Sequence, residues 1–223
     1  MDLQLQDKKA IVTGGSRGMG KAIARQLASE GCDVAIGART EGTLREAATQ
    51  IGQQTGRKIV PLIVDTLDAE SIRRFVHQSA EALGGIHILA NCAARVGGTI
   101  PDNMDVISDD QIMKDFEEKF LGYYRCAREA APHMKQEGWG RIINLSGGAG
   151  RMPGTAISTP ARNISCVALT KSLANTLGPF GINVNAIYPG TTFTEAVLER
   201  SREQAKRQGK DWMPISTNCG SAA

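Results

Sequence analysis

Short apolar runs alternate with longer stretches of helical period along most of the 223-residue chain. The runs at 8–13, 33–38, 58–64, 86–91, 140–146 and 182–188 read as strands. The stretches at 18–29, 41–53, 69–83, 109–136 and 161–177 read as helices. Apolar residues follow one another within the strands, as in Ala10-Ile11-Val12, so both faces of the sheet are expected to be covered. Strand, helix and strand repeated in this way predict an α/β chain with a doubly wound parallel sheet in three layers, α/β/α, joined by right-handed crossovers. The whole of 1–223 reads as one domain, with 195–223 as a charged lid-like or irregular segment. Asp68 is placed to cap the helix at 69, and Ser108-Asp109-Asp110-Gln111 has the pattern of a capping box.

Ligands of such sheets bind beyond the carboxyl ends of the strands, so the residues after each strand carry the chemistry. The first strand is followed by Thr13-Gly14-Gly15-Ser16-Arg17-Gly18-Met19-Gly20 and then by a helix. Glycines let the backbone approach a pyrophosphate, and the helix N-terminus offers free N–H groups and positive potential. Gly14, Ser16, Arg17, Gly18, Met19 and Gly20 are therefore candidate dinucleotide-binding residues. After the second strand comes Ala38-Arg39-Thr40. An acid there would accept from a free ribose 2′-hydroxyl and repel a 2′-phosphate, whereas Arg39 with Arg17 suits the phosphate. NADP(H) is expected in preference to NAD(H).

The spacing of Gly14, Gly18 and Gly20 after Thr13 differs from G-x-G-x-x-G and resembles the TGxxxGxG turn of the short-chain dehydrogenase/reductase family. Further likeness lies in Asp65, in Asn91-Cys92-Ala93-Ala94 where that family has Asn-Asn-Ala-Gly, in Gly140 to Ser146, and in Ile182 to Gly190. The resemblance covers about the first nine-tenths of the chain. It implies a Rossmann-like fold and an oxidoreductase acting on a carbonyl or hydroxyl of a small molecule. It also implies that Asp65 binds the adenine amino group and that Asn91 braces the central strands beside the cofactor. Pro189, Gly190 and Thr194 would hold the carboxamide and a phosphate. Ala94 in place of glycine is expected to crowd the backbone.

The chain departs from the family in its catalytic set. The family Asn of the long helix corresponds to Lys119, and the Ser after the fifth strand to Ser146 or Gly147. The Tyr position falls on Thr159 or Pro160 and the Lys position on Asn163 or Ile164, and the chain holds no Tyr-x-x-x-Lys. An alkyl hydroxyl is a poor replacement for a phenol as acid, so Thr159-Pro160 reads better as an N-cap and first helical residue. Lys119 and Ser146 are the candidate catalytic residues; a partly desolvated lysine can have a lowered pKa and donate a proton. Arg162 is read as a site for an anionic substrate or as a surface residue, and Tyr123 as packing. His77, His87 and His133 fall away from the active edge. A non-catalytic dinucleotide-binding protein and a non-redox lyase or isomerase are the alternatives.

Composition adds exclusions. A net charge of +3, dispersed along the chain, gives no footprint for nucleic acid. The five cysteines lack metal-ligand spacing, so no metal is expected, and free thiols point to a reducing compartment. No stretch of eighteen apolar residues and no signal pattern occur, which predicts a cytoplasmic protein without a membrane partner. Trp212 to Gly220 lacks the pattern of the family's last strand, so the sheet is expected without it, with an exposed edge and any homo-oligomer weakened.

Overall fold

The computed structural model describes residues 2–95, 102–151, 154–190 and 192–207. Its strands are β1 (Lys9–Thr13), β2 (Asp33–Ala38), β3 (Ile59–Ile63), β4 (Ile88–Asn91), β5 (Gly140–Leu145) and β6 (Ile182–Ile187). They form one parallel sheet in the order β3-β2-β1-β4-β5-β6, the doubly wound arrangement expected. Strand order reverses between β1 and β4, which opens a crevice at their carboxyl ends.

Alternate strand residues feed two cores. Ala10, Val12, Val34, Ile36, Ile88 and Ala90 pack against α1 (Gly18–Ser29) and α2 (Glu41–Thr55). Ile11, Ala35, Leu89, Ile142 and Val184 face the other layer, where α3 (Ala69–Leu83), α5 (Gly122–Glu137) and α6 (Ser158–Leu177) lie. Continuous apolar runs are thus two interleaved faces, each buried. At the β3 edge, Val34 N–H donates to the Lys58 carbonyl and Val64 N–H to that of Ala38, so alternation turns residue 61 outward. Pro61 sits there, and its missing N–H blunts an edge that would otherwise pair with another chain.

Two helix boundaries differ from expectation. The stretch expected as one helix over 109–136 is α4 (Asp109–Phe116), a π-helical turn at Glu117–Leu121, and α5. Helix α6 starts at Ser158 rather than 161. Asp68 and Ser108 cap as predicted, accepting from Glu70 N–H at 2.9 Å and Gln111 N–H at 3.3 Å. Ala94 does not take a positive φ, so alanine is accommodated there. The chain divides into two compact units, Met1–Gly190 and Thr191–Ala223. The second contains α7 (Glu195–Arg207), whose Val197 and Leu198 N–H groups bond the Thr194 carbonyl.

Candidate active site

The glycine-rich turn at the end of β1 is built for close approach. Gly14 and Gly18 take φ of +71° and +55°. A Cβ on Gly20 would lie 2.2 Å from the Gly14 carbonyl oxygen, so α1 packs onto the turn only without a side chain. Arg17 precedes α1 in extended conformation and no side chain caps the helix, which leaves its first N–H groups for an anion. Thr13 Oγ1 accepts from the N–H groups of Cys92 and Ala93, each at 3.1 Å, fastening the turn after β4 to the turn after β1. Arg17 and Arg39 are exposed, and neither is in an ion pair among the described residues. The residues present therefore fit a dinucleotide: a glycine cradle, an uncapped helix start and two exposed guanidiniums beside it.

Asp65 follows β3, its Oδ1 accepting from Leu67 N–H at 3.1 Å. Asn91 is fully buried and donates through Nδ2 to Asn144 Oδ1 at 2.9 Å; Asn144 donates in turn to Thr170 Oγ1 at 2.9 Å. This relay ties β4 to β5 and β5 to α6. It fixes the height of α6 against the end of β5.

Lys119 lies in the π turn, whose extra residue per turn is a feature often found at functional sites. Its side chain is buried, with 4% exposure, beneath the end of β5. Nζ donates to the Ser146 carbonyl at 2.6 Å and to Asn163 Oδ1 at 2.7 Å, and lies 5.8 Å from the centre of the Tyr123 ring. No carboxylate pairs with it among the described residues. Burial pushes the ammonium down to about 8 from an ordinary 10.5. Ser146 is buried too, and its hydroxyl is committed to the Asn163 carbonyl at 2.9 Å. Lys119, Ser146 and Asn163 thus form a closed ring of three hydrogen bonds, drawn from three elements.

Thr159 is not an N-cap. Asp102, remote in sequence, accepts from the N–H groups of Ile157 at 3.1 Å, Ser158 at 2.7 Å and Thr159 at 2.9 Å. This external carboxylate lets the helix begin ahead of Thr159. Burial opposes its charge, but the bonds from Thr159, Ser158 and Ile157 outweigh that and hold Asp102 at about 2. Arg162 is not at the surface. It is 2% exposed, donates to the Arg95 carbonyl at 2.8 Å and shares buried Asp115 with Arg95 and Ser158. Burial lowers its pKa. Tyr123 packs as expected, its hydroxyl donating to the Leu145 carbonyl at 3.1 Å.

The structure brings Lys119, Ser146 and Asn163 together, with Thr159 one turn before Asn163 on α6. Pro189 and Gly190 follow β6, where the Pro189 carbonyl comes within 3.6 Å of a Cβ built on Gly148. Thr194 belongs to the second unit. Sequence reasoning missed the roles of Asp102, Asp115 and the Thr13 hydroxyl. Only Thr13 carried a signal, its place directly before the first glycine.

Comparison with known proteins finds that the short chain dehydrogenase model matches residues 8–205. The 3-oxoacyl-(acyl-carrier-protein) reductase FabG of Staphylococcus aureus (strain Mu50) is 32% identical over 207 residues, 90% of this chain and 82% of that one. The short-chain reductase protein NovJ of Streptomyces niveus is 34% identical, over 92% of this chain and 76% of its own. Among solved structures, L-sorbose reductase from Gluconobacter frateurii complexed with NADPH and L-sorbose superposes with a TM-score of 0.89 at 27% identity, covering 95% of this chain and 80% of that one. A short chain dehydrogenase from Burkholderia cenocepacia in complex with NADP gives 0.78 at 33%, covering 86% and 77%.

Proposed function

Because the chain belongs to the short-chain dehydrogenase family, we propose that it is an NADP(H)-dependent oxidoreductase interconverting a carbonyl and a hydroxyl on a small molecule, with Lys119 as its proton-transferring group. The observation that carries this reading is the buried Lys119 ammonium held by two neutral acceptors. An ammonium out of water without a carboxylate costs folding energy that a leucine or methionine would not. A perturbed lysine in that position beside a dinucleotide cradle is a functional candidate.

When bound, NADP(H) supplies or accepts the hydride. Gly14, Ser16, Gly18, Met19 and Gly20 hold the pyrophosphate against the start of α1, Arg17 and Arg39 bind the 2′-phosphate, and Asp65 takes the adenine edge. Asn91 steadies the floor, while Pro189 and Gly190 receive the carboxamide end. In reduction, Lys119 gives a proton to the oxygen that gains electron density, and is neutral until it recovers one from water. At about 8, its pKa leaves it mostly protonated at neutral pH yet a far better acid than an ordinary lysine. The chain holds no Tyr-x-x-x-Lys, and the family resemblance sets Thr159 or Pro160 and Asn163 or Ile164 at those positions, so we assign the proton to Lys119. The free thiols of Cys32, Cys92, Cys126 and Cys166 accord with a cytoplasmic location.

Following NADPH absorbance over ketones, aldehydes, quinones and enones tests this reading, with Lys119→Met beside the wild type. Turnover that the variant loses supports it. Tight NADPH binding without turnover anywhere in the panel replaces it with a non-catalytic dinucleotide-binding protein, and turnover without a change in absorbance replaces it with a lyase or isomerase.

A further inference from the structure

The working state of Lys119 depends on what faces its Nζ, and among the described residues the side chain that accepts from it is Asn163. An ammonium has only donors, so the amide oxygen of Asn163 is the atom turned toward it and Nδ2 is turned away. Nδ2 points at Gly147: a Cβ built there would lie 2.6 Å from Nδ2 and 3.2 Å from Cγ. Gly147 has φ 167°, extended backbone that any residue adopts, so a side chain is excluded at 147 by Asn163 and not by backbone strain. The Asn163 main chain is fixed as well, since its carbonyl accepts from Ser146 Oγ at 2.9 Å. Backbone and amide of Asn163 are therefore locked from both sides of the β5 end.

We propose that Asn163 is the positioning residue for Lys119, setting its place and its proton affinity, and that the missing side chain of Gly147 is the space that permits this. The proposal rests on Lys119 being the working group, and goes beyond it by naming what tunes that group. The chemistry favours an amide here. A carboxylate at 163 would stabilise the ammonium and return it to an ordinary or higher pKa, leaving a weak acid. A hydrocarbon would remove an acceptor of the charged form and lower the protonated fraction of the lysine at the working pH. An uncharged acceptor is the intermediate that keeps a buried lysine protonated and ready to give its proton up.

The test is a pH titration of the lysine side-chain NMR signals of the full chain, without substrate or dinucleotide. Lys119 is assigned by the signal that disappears in Lys119→Met. The variants are Asn163→Asp, Asn163→Leu and Gly147→Ala. Asn163→Asp, which keeps the shape, is expected to raise the Lys119 proton affinity at least about tenfold. Asn163→Leu is expected to lower it by about threefold or more. Gly147→Ala, whose nearest contact is the Asn163 amide that it pushes aside, is expected to move it in the same direction as Asn163→Leu. Opposite shifts for Asp and Leu are not what a general loosening would give. Equal titration of Lys119 in the wild type and both Asn163 variants overturns the proposal for Asn163. Wild-type behaviour of Gly147→Ala overturns its second half. Because no turnover is read, the result is separate from the outcome of the substrate screen.

Discussion

Replacing Lys119 by methionine keeps an unbranched apolar stem and removes the terminal ammonium with its charge. The wild-type ammonium titrates at about 8 in the folded protein, against 10.5 for an ordinary lysine. Between those values the unfolded chain holds a proton that the folded chain has released, so folding stability rises with pH. Below pH 8 both states are protonated and the full penalty of the buried charge applies. Above 10.5 both are neutral and the penalty is gone. At 1.36 kcal/mol per tenfold change in proton affinity, the span corresponds to about 3 kcal/mol. Every other ionisable group is common to both proteins and cancels in the difference. Urea unfolding of wild type and Lys119→Met at steps from pH 7 to 10.5 is the assay. The wild type is expected to gain about 3 kcal/mol on the variant over that interval. A difference in stability that stays level with pH would refute the claim that Lys119 is a desolvated ammonium, whatever the variant does to activity.

Gly20→Ala places a Cβ where 2.2 Å separates it from the Gly14 carbonyl, so the turn has to open; NADPH affinity by fluorescence titration should fall at least about tenfold, and wild-type affinity would remove the turn from the site. Arg39→Asp should move the ratio of NADPH to NADH dissociation constants toward NADH by about tenfold or more, and an unchanged ratio excludes Arg39 from the 2′-phosphate. Asp102→Ala removes the acceptor of three N–H groups at the start of α6 and should cost about 2 kcal/mol in urea unfolding, with a loss under about 0.5 showing that the clasp is not stabilising. His87 Nδ1 accepts from Lys9 N–H at 3.0 Å, and burial with Lys8 and Lys9 nearby lowers its pKa. Its contribution to stability is full above pH 6.5 and is lost as pH falls below, so His87→Ala should flatten that part of the stability profile.

Most of the sheet was legible because each strand is a run whose two faces are both buried, and the turns between elements carry glycine, aspartate or serine with definite capping geometry. The ranges 18–29, 33–38 and 69–83 coincide with observed elements for that reason. The π turn was not legible: Glu117-Glu118-Lys119-Phe120-Leu121 has ordinary helical residues, and the contact of Lys119 with the Ser146 carbonyl after β5 exists only in the fold. The start of α6 was misplaced because its cap, Asp102, comes from 56 residues away and leaves no local mark. Lys119 was visible as a candidate by its position against the family pattern, yet its partnership with Asn163 spans 44 residues and needed the fold. Arg162 reads from the sequence as a site for an anionic substrate or as a surface residue because its counterion, Asp115, lies on another helix.

The central claim is that Lys119 delivers the proton in an NADPH-driven carbonyl reduction. Its most direct test is the pH dependence of that reduction, measured by NADPH absorbance at saturating NADPH for wild type and Lys119→Met. The wild-type rate should be level below pH 8 and fall about tenfold per pH unit above it, with Lys119→Met reduced about a hundredfold or more and without that break. Lys119→Met keeping the wild-type rate and profile would contradict the claim.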